Sequence, residues 1–209
     1  PYGSYVMENV LFKISFPAEF HAQTAVEAAV TLHPQIIDRL DEISKIVLST
    51  HESAIRIISK TGVLNNPADR DHCLQYMTAI GLLKGNLVAE DYEANVASDP
   101  RVDMLRELMS VEEDERYSRE YHEEDKRSIA NAIQIHFKDG SMTEKVEVDY
   151  PIGHKFRRAE GMPLLQEKFA ENLSDRFPAT QVNAVLRMCN DSESFDNTPV
   201  QDFMSALVI

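Results

Sequence analysis

One β-hairpin pattern constrains the fold of this chain more than any other feature of its sequence. Apolar residues alternate along two short runs, and Lys138, Asp139, Gly140 and Ser141 separate the runs. The alternating residues are Ile133, Ile135 and Phe137 before the turn and Val146, Val148 and Tyr150 after it. Asp-Gly between two such runs is typical of a tight turn that joins antiparallel strands. The sequence therefore predicts a sheet that contains an antiparallel hairpin.

Helical patterns surround the hairpin, so the first part of the chain is predicted to have an α+β fold. The expected helices are 18–32, 34–40, 51–62 with Thr50 as N-cap, 67–84, 89–96 and 100–109, and the expected strands are 6–16 and 43–48. The acidic stretch 111–125 is interpreted as a solvated edge or loop, since runs of charge usually face water. Three amphipathic helices follow at 163–173, 179–189 and 199–207. Residues 1–158 are thus interpreted as one domain and 159–209 as a helical segment that needs a packing partner.

The stretch 61–85 carries the best-marked helix. Asn66 is a suitable N-cap, Pro67 suits the first helical position, and Gly85 suits the end. On one continuous helix, Asp69, His72, Tyr76 and Ile80 would share a face and could form a column that handles protons. The alternative is that these side chains are only a first-turn charge, an ordinary histidine and a core tyrosine.

Composition excludes several classes of function. The net charge of −14 over 209 residues argues against nucleic acid and against anionic membranes as partners. The sequence has neither an apolar run of membrane-spanning length nor a start that resembles a signal peptide. Cys73 and Cys189 are too few for a disulfide framework or for an iron–sulfur cluster held by this chain alone. No zinc-binding or nucleotide-binding motif is present, so neither a metal nor a cofactor is expected.

Cations at a few positions are candidates for binding an anion. Lys13 stands alone in an apolar setting before the predicted helix 18–32. His21 lies in the first turns of that helix. Four basic residues cluster after the hairpin, namely His154, Lys155, Arg157 and Arg158. Arginine is well shaped for carboxylates, so this cluster is a candidate carboxylate-binding patch. The alternative is a basic rim that offsets an acidic surface.

Five segments together carry a family resemblance. They are FPAEFHAQTAVEAA, THESAIRII, LNNPADRDHCLQYM, EDYEANVASDPRVDMLR and VDYPIGHKFRR. The chain resembles the family that contains 2-methylcitrate dehydratase, cis-aconitate decarboxylase and iminodisuccinate epimerase, and the similarity extends along nearly its whole length.

The resemblance implies an architecture. Family members have a large all-helical domain and a smaller α+β lid, with the active site between them. This chain resembles only the C-terminal portion, so 1–158 would be the lid and 159–209 the returning helices of an otherwise absent all-α domain. The N-terminal helical half would be missing, and the full-length protein would be a homodimer in the cytoplasm or the mitochondrial matrix.

The resemblance also implies a hydro-lyase reaction on a tricarboxylate, the removal of water from 2-methylcitrate in propionate breakdown, without metal or cofactor. Tyr76 and Lys13 would be catalytic residues, and His21, His72, Arg157 and Arg158 would contact the substrate. The fragment alone would be inactive, because the catalytic base is expected in the missing half. Decarboxylation, epimerisation or a non-enzymatic interaction role are the alternatives.

Overall fold

The computed structural model describes residues 8–208 and divides the chain into two units, Pro1–Arg157 and Arg158–Ile209. The strands of the first unit are β1 (Ile43–Thr50), β2 (Met109–Glu113), β3 (Asn131–Phe137) and β4 (Val146–Val148). Its helices are α1 (Gln23–Ile36), α2 (Glu52–Ile58), α3 (Pro67–Arg70), α4 (Leu74–Lys84), α5 (Ala94–Ala97), α6 (Pro100–Glu107) and α7 (Glu115–His122). Short 3₁₀ turns cover Phe20–Ala22, Ile37–Glu42, Ala89–Tyr92 and Lys155–Arg157.

The four strands form one mixed sheet in the order β2-β1-β3-β4. Strands β3 and β4 pair antiparallel, with Asn131 opposite Val148 and Ile133 opposite Val146, which confirms the predicted hairpin. Strand β1 pairs antiparallel with β3 and parallel with β2, from Ile46 opposite Met109 to Thr50 opposite Glu113. The interpretation of 111–125 as a solvated edge or loop was correct for its start, which is an edge strand whose carboxylates face water, and wrong for its centre, which is helix α7.

Helix α4 lies at the centre of the first unit. Its first ten residues, Leu74–Leu83, are all buried, as expected for a helix that is covered on every side. It packs against the alanine-rich face of α1, and Gly81 allows the close approach, because a Cβ there would lie 2.9 Å from the Cβ of Ala29. Gly85 ends the helix in the left-handed conformation, as predicted.

Two predicted helix boundaries were wrong. Pro34 does not start a helix but lies in the last turn of α1, since burial of Leu32 and Ile36 outweighs the hydrogen bond that a proline removes. The stretch 67–84 is not one helix but two, because Asp71, His72 and Cys73 interrupt it and Cys73 is extended. The column of Asp69, His72 and Tyr76 along one helix face is thereby excluded.

Two further local predictions also differ from the structure. Residues 8–16, the described part of the predicted strand 6–16, form no strand, and Phe12 donates one backbone hydrogen bond to the carbonyl of Gly153. The N-cap of α2 is His51 rather than Thr50, and this helix ends at Ile58 instead of near Gly62. In contrast, Asn66 caps α3 through the amide of Asp69, as expected.

The second unit consists of helices α8 (Arg158–Ser174), α9 (Ala179–Asn190), α10 (Ser192–Asn197) and α11 (Val200–Ala206). Its small core contains Leu173, Val182 and Val185. Several large apolar side chains of this unit are exposed, namely Met162, Leu164, Phe195, Val200 and Met204. Three of its helices correspond to the three that the sequence predicted. Among the described residues, no helix is both long and apolar enough to cross a bilayer.

Candidate functional site

Two imidazoles and a phenol meet where the first 3₁₀ turn approaches α2 and α7. We call His21, His51 and Tyr121, together with Glu19, the imidazole cluster. The Nε2 atom of His21 lies 3.2 Å from the hydroxyl of Tyr121, although the two residues are 100 positions apart in the chain. The ring of His51 stacks on Tyr121 with centroids 4.6 Å apart and planes 9° from parallel. The cluster therefore depends on tertiary structure.

Glu19 holds His21 in place from the other side. Its carboxylate accepts from the backbone amide of His21 and lies 2.8 Å from Nδ1 of the same ring. Burial alone would raise the pKa of Glu19, but the hydrogen bonds and charge of His21, with the charge of His72, lower the pKa below its ordinary value. An ionised carboxylate on Nδ1 favours a proton there, which leaves Nε2 to exchange a proton with a neighbour.

His51 is the most enclosed member of the cluster. Its side chain is buried at the N-cap of α2, where Nδ1 accepts from the amide of Ala54 at 3.3 Å. Within the described residues its Nε2 atom has no hydrogen-bond partner. Burial first, and then the charge of His21, lowers the pKa of His51 to about 4. This ring is therefore neutral at physiological pH and presents an uncharged face to His21 and Tyr121.

Lys13 lies near the imidazole cluster, because it contacts Phe20, the residue before His21. Its ammonium is 4.8 Å from the centroid of the Phe20 ring, and the side chain is exposed. This distance is within the range of a cation–π contact. The structure thus places the Lys13 ammonium over the ring of Phe20, the residue next to His21 in the chain.

Tyr76 lies in the core rather than in an open site. It is 2% exposed, and its hydroxyl donates to the backbone carbonyl of Asp91 at 2.5 Å. Burial raises the pKa of Tyr76 to about 12, so the phenol keeps its proton at neutral pH. The ring lies 6.1 Å from that of Tyr92, whose hydroxyl donates to the carbonyl of Pro17. Tyr76 is therefore connected to the FPAEF segment through Tyr92.

The other three predicted contact residues are not gathered in one place. His72 is exposed in the break between α3 and α4, with Nδ1 2.6 Å from Asp71, although its charge reaches Glu19. The Arg157 guanidinium donates to both carboxylate oxygens of Glu27 at 2.8 and 2.9 Å, so an internal carboxylate already pairs with its charge. Arg158 starts α8, in the second unit.

A cleft of about 570 Å³ opens on the first unit beside Tyr76. The loop after α2, the end of α3, the start of α4, and helices α5 and α6 surround it. Its lining includes Lys60, Arg70, Gln75 and Arg106. The volume is within the range usual for small-molecule sites. Among the described residues, no three His, Cys, Asp or Glu side chains are arranged to hold a metal ion.

Sequence reasoning missed Glu19, Tyr121 and Arg70 as site residues. Tyr121 lies in the acidic stretch that charge alone assigned to solvent. Glu19 is two residues before His21, and this spacing lets a carboxylate cap a short turn and reach the imidazole. The spacing of Glu19 and His21 could have been recognised in the sequence, whereas no residue near Arg70 in the sequence indicates that its side chain is buried.

The chain belongs to the MmgE/PrpD family, since residues 16–192 match the C-terminal domain of that family. It is 54% identical to 2-methylcitrate dehydratase of Escherichia coli strain K12 over its whole length, and covers 44% of that protein. It is also 54% identical over its whole length to mitochondrial 2-methylcitrate dehydratase of Yarrowia lipolytica, covering 40%. A probable 2-methylcitrate dehydratase of Saccharomyces cerevisiae is 48% identical over 97% of the chain, which covers 40% of that relative. The chain thus spans less than half the length of the curated relatives it matches, and the resemblance drawn from its segments is confirmed.

Proposed function

We propose that this chain is the C-terminal portion of a 2-methylcitrate dehydratase, a hydro-lyase of propionate catabolism that acts on a tricarboxylate. The observation that carries the proposal is the identity of about one half, along the whole chain, to relatives of that name. The imidazole cluster supports it, because the chemistry requires a positioned group that can move a proton.

Dehydration of 2-methylcitrate is an elimination across a carbon–carbon bond. A base removes a proton from carbon, the electron pair of that C–H bond forms the double bond of 2-methyl-cis-aconitate, and the hydroxyl group leaves with a proton as water. Glu19, His21 and Tyr121 are linked in that order by contacts of 2.8 and 3.2 Å. In this proposal His21 delivers or accepts a proton at Nε2, and Glu19 orients the imidazole ring. The hydroxyl of Tyr121 is the neighbour with which Nε2 exchanges that proton.

The carboxylates of the substrate require cations, and Lys13 is the proposed one beside the cluster. Exposed His72 is a further contact, and we propose that its charge also adjusts Glu19. In this proposal Tyr76 orients the substrate or neighbouring side chains, because its hydroxyl already donates its hydrogen bond to the Asp91 carbonyl. Arg157 and Arg158 are the weakest proposed contacts, because Glu27 already pairs with Arg157.

The proposed site is completed by chain that lies outside these 209 residues. In this proposal Pro1–Arg157 forms the lid, and Arg158–Ile209 packs on an N-terminal helical half, which would cover the exposed apolar side chains of α8, α10 and α11. The complete protein would be a metal-independent homodimer of the cytoplasm or the mitochondrial matrix.

Comparison of the isolated chain with the complete protein tests this proposal. Both are incubated with 2-methylcitrate, and the unsaturated product is followed by its ultraviolet absorbance. Turnover is expected from the complete protein only, and dialysis against EDTA should leave it unchanged. Vigorous turnover by the isolated chain contradicts the shared site, whereas a complete protein that decarboxylates cis-aconitate instead contradicts the dehydratase assignment.

A further inference from the structure

His51 makes two different contacts at one point of the fold. Its Nδ1 atom accepts from the amide of Ala54 and so caps α2, and its ring stacks on Tyr121 with centroids 4.6 Å apart. Because Nδ1 is the acceptor, the neutral ring carries its proton on Nε2. This Nε2–H group is buried and has no hydrogen-bond partner among the described residues. The imidazole therefore caps the helix but leaves a buried donor unsatisfied.

Capping alone does not account for a histidine at the start of α2. Helix N-caps are ordinarily Ser, Thr, Asp or Asn, whose side-chain oxygens accept from the first amides of the helix. A serine or threonine would cap α2 with a smaller polar group, whereas the imidazole costs stability because its second nitrogen is buried without a partner. The ring of His51 therefore has a use besides capping. Its centroid lies closer to that of Tyr121, at 4.6 Å, than to that of His21, at 5.2 Å.

Helix α7 is fixed to the start of α2 on both sides of His51. The amide of Glu52, the next residue, donates to the hydroxyl of Ser118 on α7 at 2.8 Å. The amide of Asp114, the N-cap of α7, donates to the carbonyl of Thr50, the preceding residue, also at 2.8 Å. The separation between the His51 ring and its stacked partner on α7 is therefore set by contacts of the backbone.

The orientation of the Tyr121 side chain decides whether its hydroxyl meets His21. The hydroxyl lies 3.2 Å from Nε2 of His21, and rotation about the Cα–Cβ bond would move it away. Tyr121 is only half-buried, so the core does not hold its ring on every side. The His51 ring covers one face of it, 9° from parallel, and blocks rotation toward that side. Because burial keeps His51 neutral, its ring adds no positive charge that would oppose protonation of His21.

We propose that His51 is a positioning residue that holds the hydroxyl of Tyr121 against Nε2 of His21. His51 touches no substrate in this proposal and acts on the reaction only through Tyr121. The effect on turnover rests on the proposed dehydratase function, whereas the positioning of the tyrosine is a property of this chain.

Two substitutions in the complete protein separate the cap from the ring. His51→Asn keeps an N-cap acceptor and removes the ring, whereas His51→Phe keeps a stacking ring and removes the acceptor. Steady-state kinetics with 2-methylcitrate should show kcat about tenfold lower in His51→Asn and KM within about twofold, because displacing a catalytic group by about an ångström slows a reaction by up to about a hundredfold. His51→Phe should recover most of kcat at a lower melting temperature. The control His136→Asn, on β3, should match the wild type.

A double-variant cycle with Tyr121→Phe tests whether His51 acts through the tyrosine hydroxyl. If it does, adding His51→Asn to Tyr121→Phe should lower kcat by no more than about twofold. Losses that multiply in the double variant would overturn the proposal, and so would a wild-type kcat in His51→Asn. This cycle also decides the question if His51→Phe fails to fold, as circular dichroism would show.

Crystal structures of the complete protein give a readout that does not depend on activity. The wild type should keep the Tyr121 hydroxyl within hydrogen-bond distance of Nε2 of His21, and in His51→Asn the tyrosine should adopt another rotamer. An unmoved tyrosine in His51→Asn would contradict the positioning role. A complete protein that does not dehydrate 2-methylcitrate contradicts the proposed function instead, and the two crystal structures then decide the role of His51.

Discussion

The imidazole cluster and the cleft beside Tyr76, which is lined by Lys60, Arg70 and Arg106, lie in the same unit but satisfy their polar groups in opposite ways. In the cluster, Glu19 and Tyr121 contact the two nitrogens of His21, and His51 is kept neutral by burial. In the cleft, the Arg70 guanidinium is buried without a carboxylate among the described residues. An internally paired group is suited to moving a proton, whereas an unpaired cation is suited to binding an anion. The difference separates a candidate site of chemistry from a candidate site of binding.

The largest effect is expected at the centre of the cluster. Changing His21→Asn in the complete protein should lower turnover of 2-methylcitrate by roughly 100- to 10,000-fold, the usual contribution of a general acid or base. Steady-state kinetics measures the loss. The control is His136→Asn on β3, which lies outside both regions and should leave turnover unchanged. Equal activity of the two variants would remove His21 from the chemistry.

The Glu19 carboxylate should matter only through His21. Changing Glu19→Gln removes the charge that orients the ring, and we expect turnover to fall roughly 10- to 100-fold, since a group that acts through a catalytic residue contributes less than the residue itself. The double variant with His21→Asn should be no slower than His21→Asn alone. Independent losses that multiply in the double variant would show that Glu19 acts elsewhere.

His51 should make the stability of the protein sensitive to acid. Its folded pKa is about 4, below the ordinary value of 6.5, so the unfolded state takes up a proton first as pH falls. The stabilising contribution is complete above about pH 6.5 and is lost progressively toward pH 4. Between pH 7 and pH 5 the free energy of unfolding should fall about 2 kcal/mol further in the wild type than in His51→Asn.

Urea unfolding at the two pH values measures this difference. Asparagine retains an N-cap acceptor for α2, so the variant preserves the helix start while it removes the titrating ring. His136→Asn serves again as control and should keep the wild-type dependence on pH. A wild-type acid dependence that persists in His51→Asn would mean that this histidine ionises as readily in the folded state.

A substitution at Tyr76 tests whether its hydroxyl contributes to turnover. The change Tyr76→Phe removes the hydrogen bond to Asp91, and we expect a stability loss of about 1 kcal/mol and roughly a tenfold lower turnover. Unchanged turnover in Tyr76→Phe would show that this hydroxyl takes no part in the reaction.

The smallest effect is expected when Lys60 is neutralised in the absence of ligand. Lys60 has no salt bridge among the described residues, so Lys60→Gln should change the free energy of unfolding by less than about 0.5 kcal/mol. Thermal unfolding of the two proteins measures this. A clear loss of stability would reveal an internal partner of Lys60 and would make the cleft resemble the imidazole cluster.

Local features of the fold were predictable, whereas the composition of the sites was only partly so. The hairpin around Asp139 and the caps at Asn66 and Gly85 were correct because they depend on residues a few positions apart. The prediction failed at Pro34 and at 71–73, where burial of Ile36 and of Cys73 outweighs the helix signal. Lys13 and His21 were identified with the help of the family resemblance, and the structure places the Lys13 ammonium over the ring of Phe20, the residue before His21.

The sequence by itself determined the class of the fold, its hairpin and principal helix signals, the absence of metal-binding and nucleotide-binding motifs, and membership of the family. Only the tertiary structure decided that His21 meets Tyr121 across 100 positions, that β2 joins the sheet in parallel, and that Arg70 is buried without a carboxylate among the described residues. The physical reason is range. Caps and turns follow from neighbouring residues, whereas burial and the pairing of charges depend on which distant segments the core brings together.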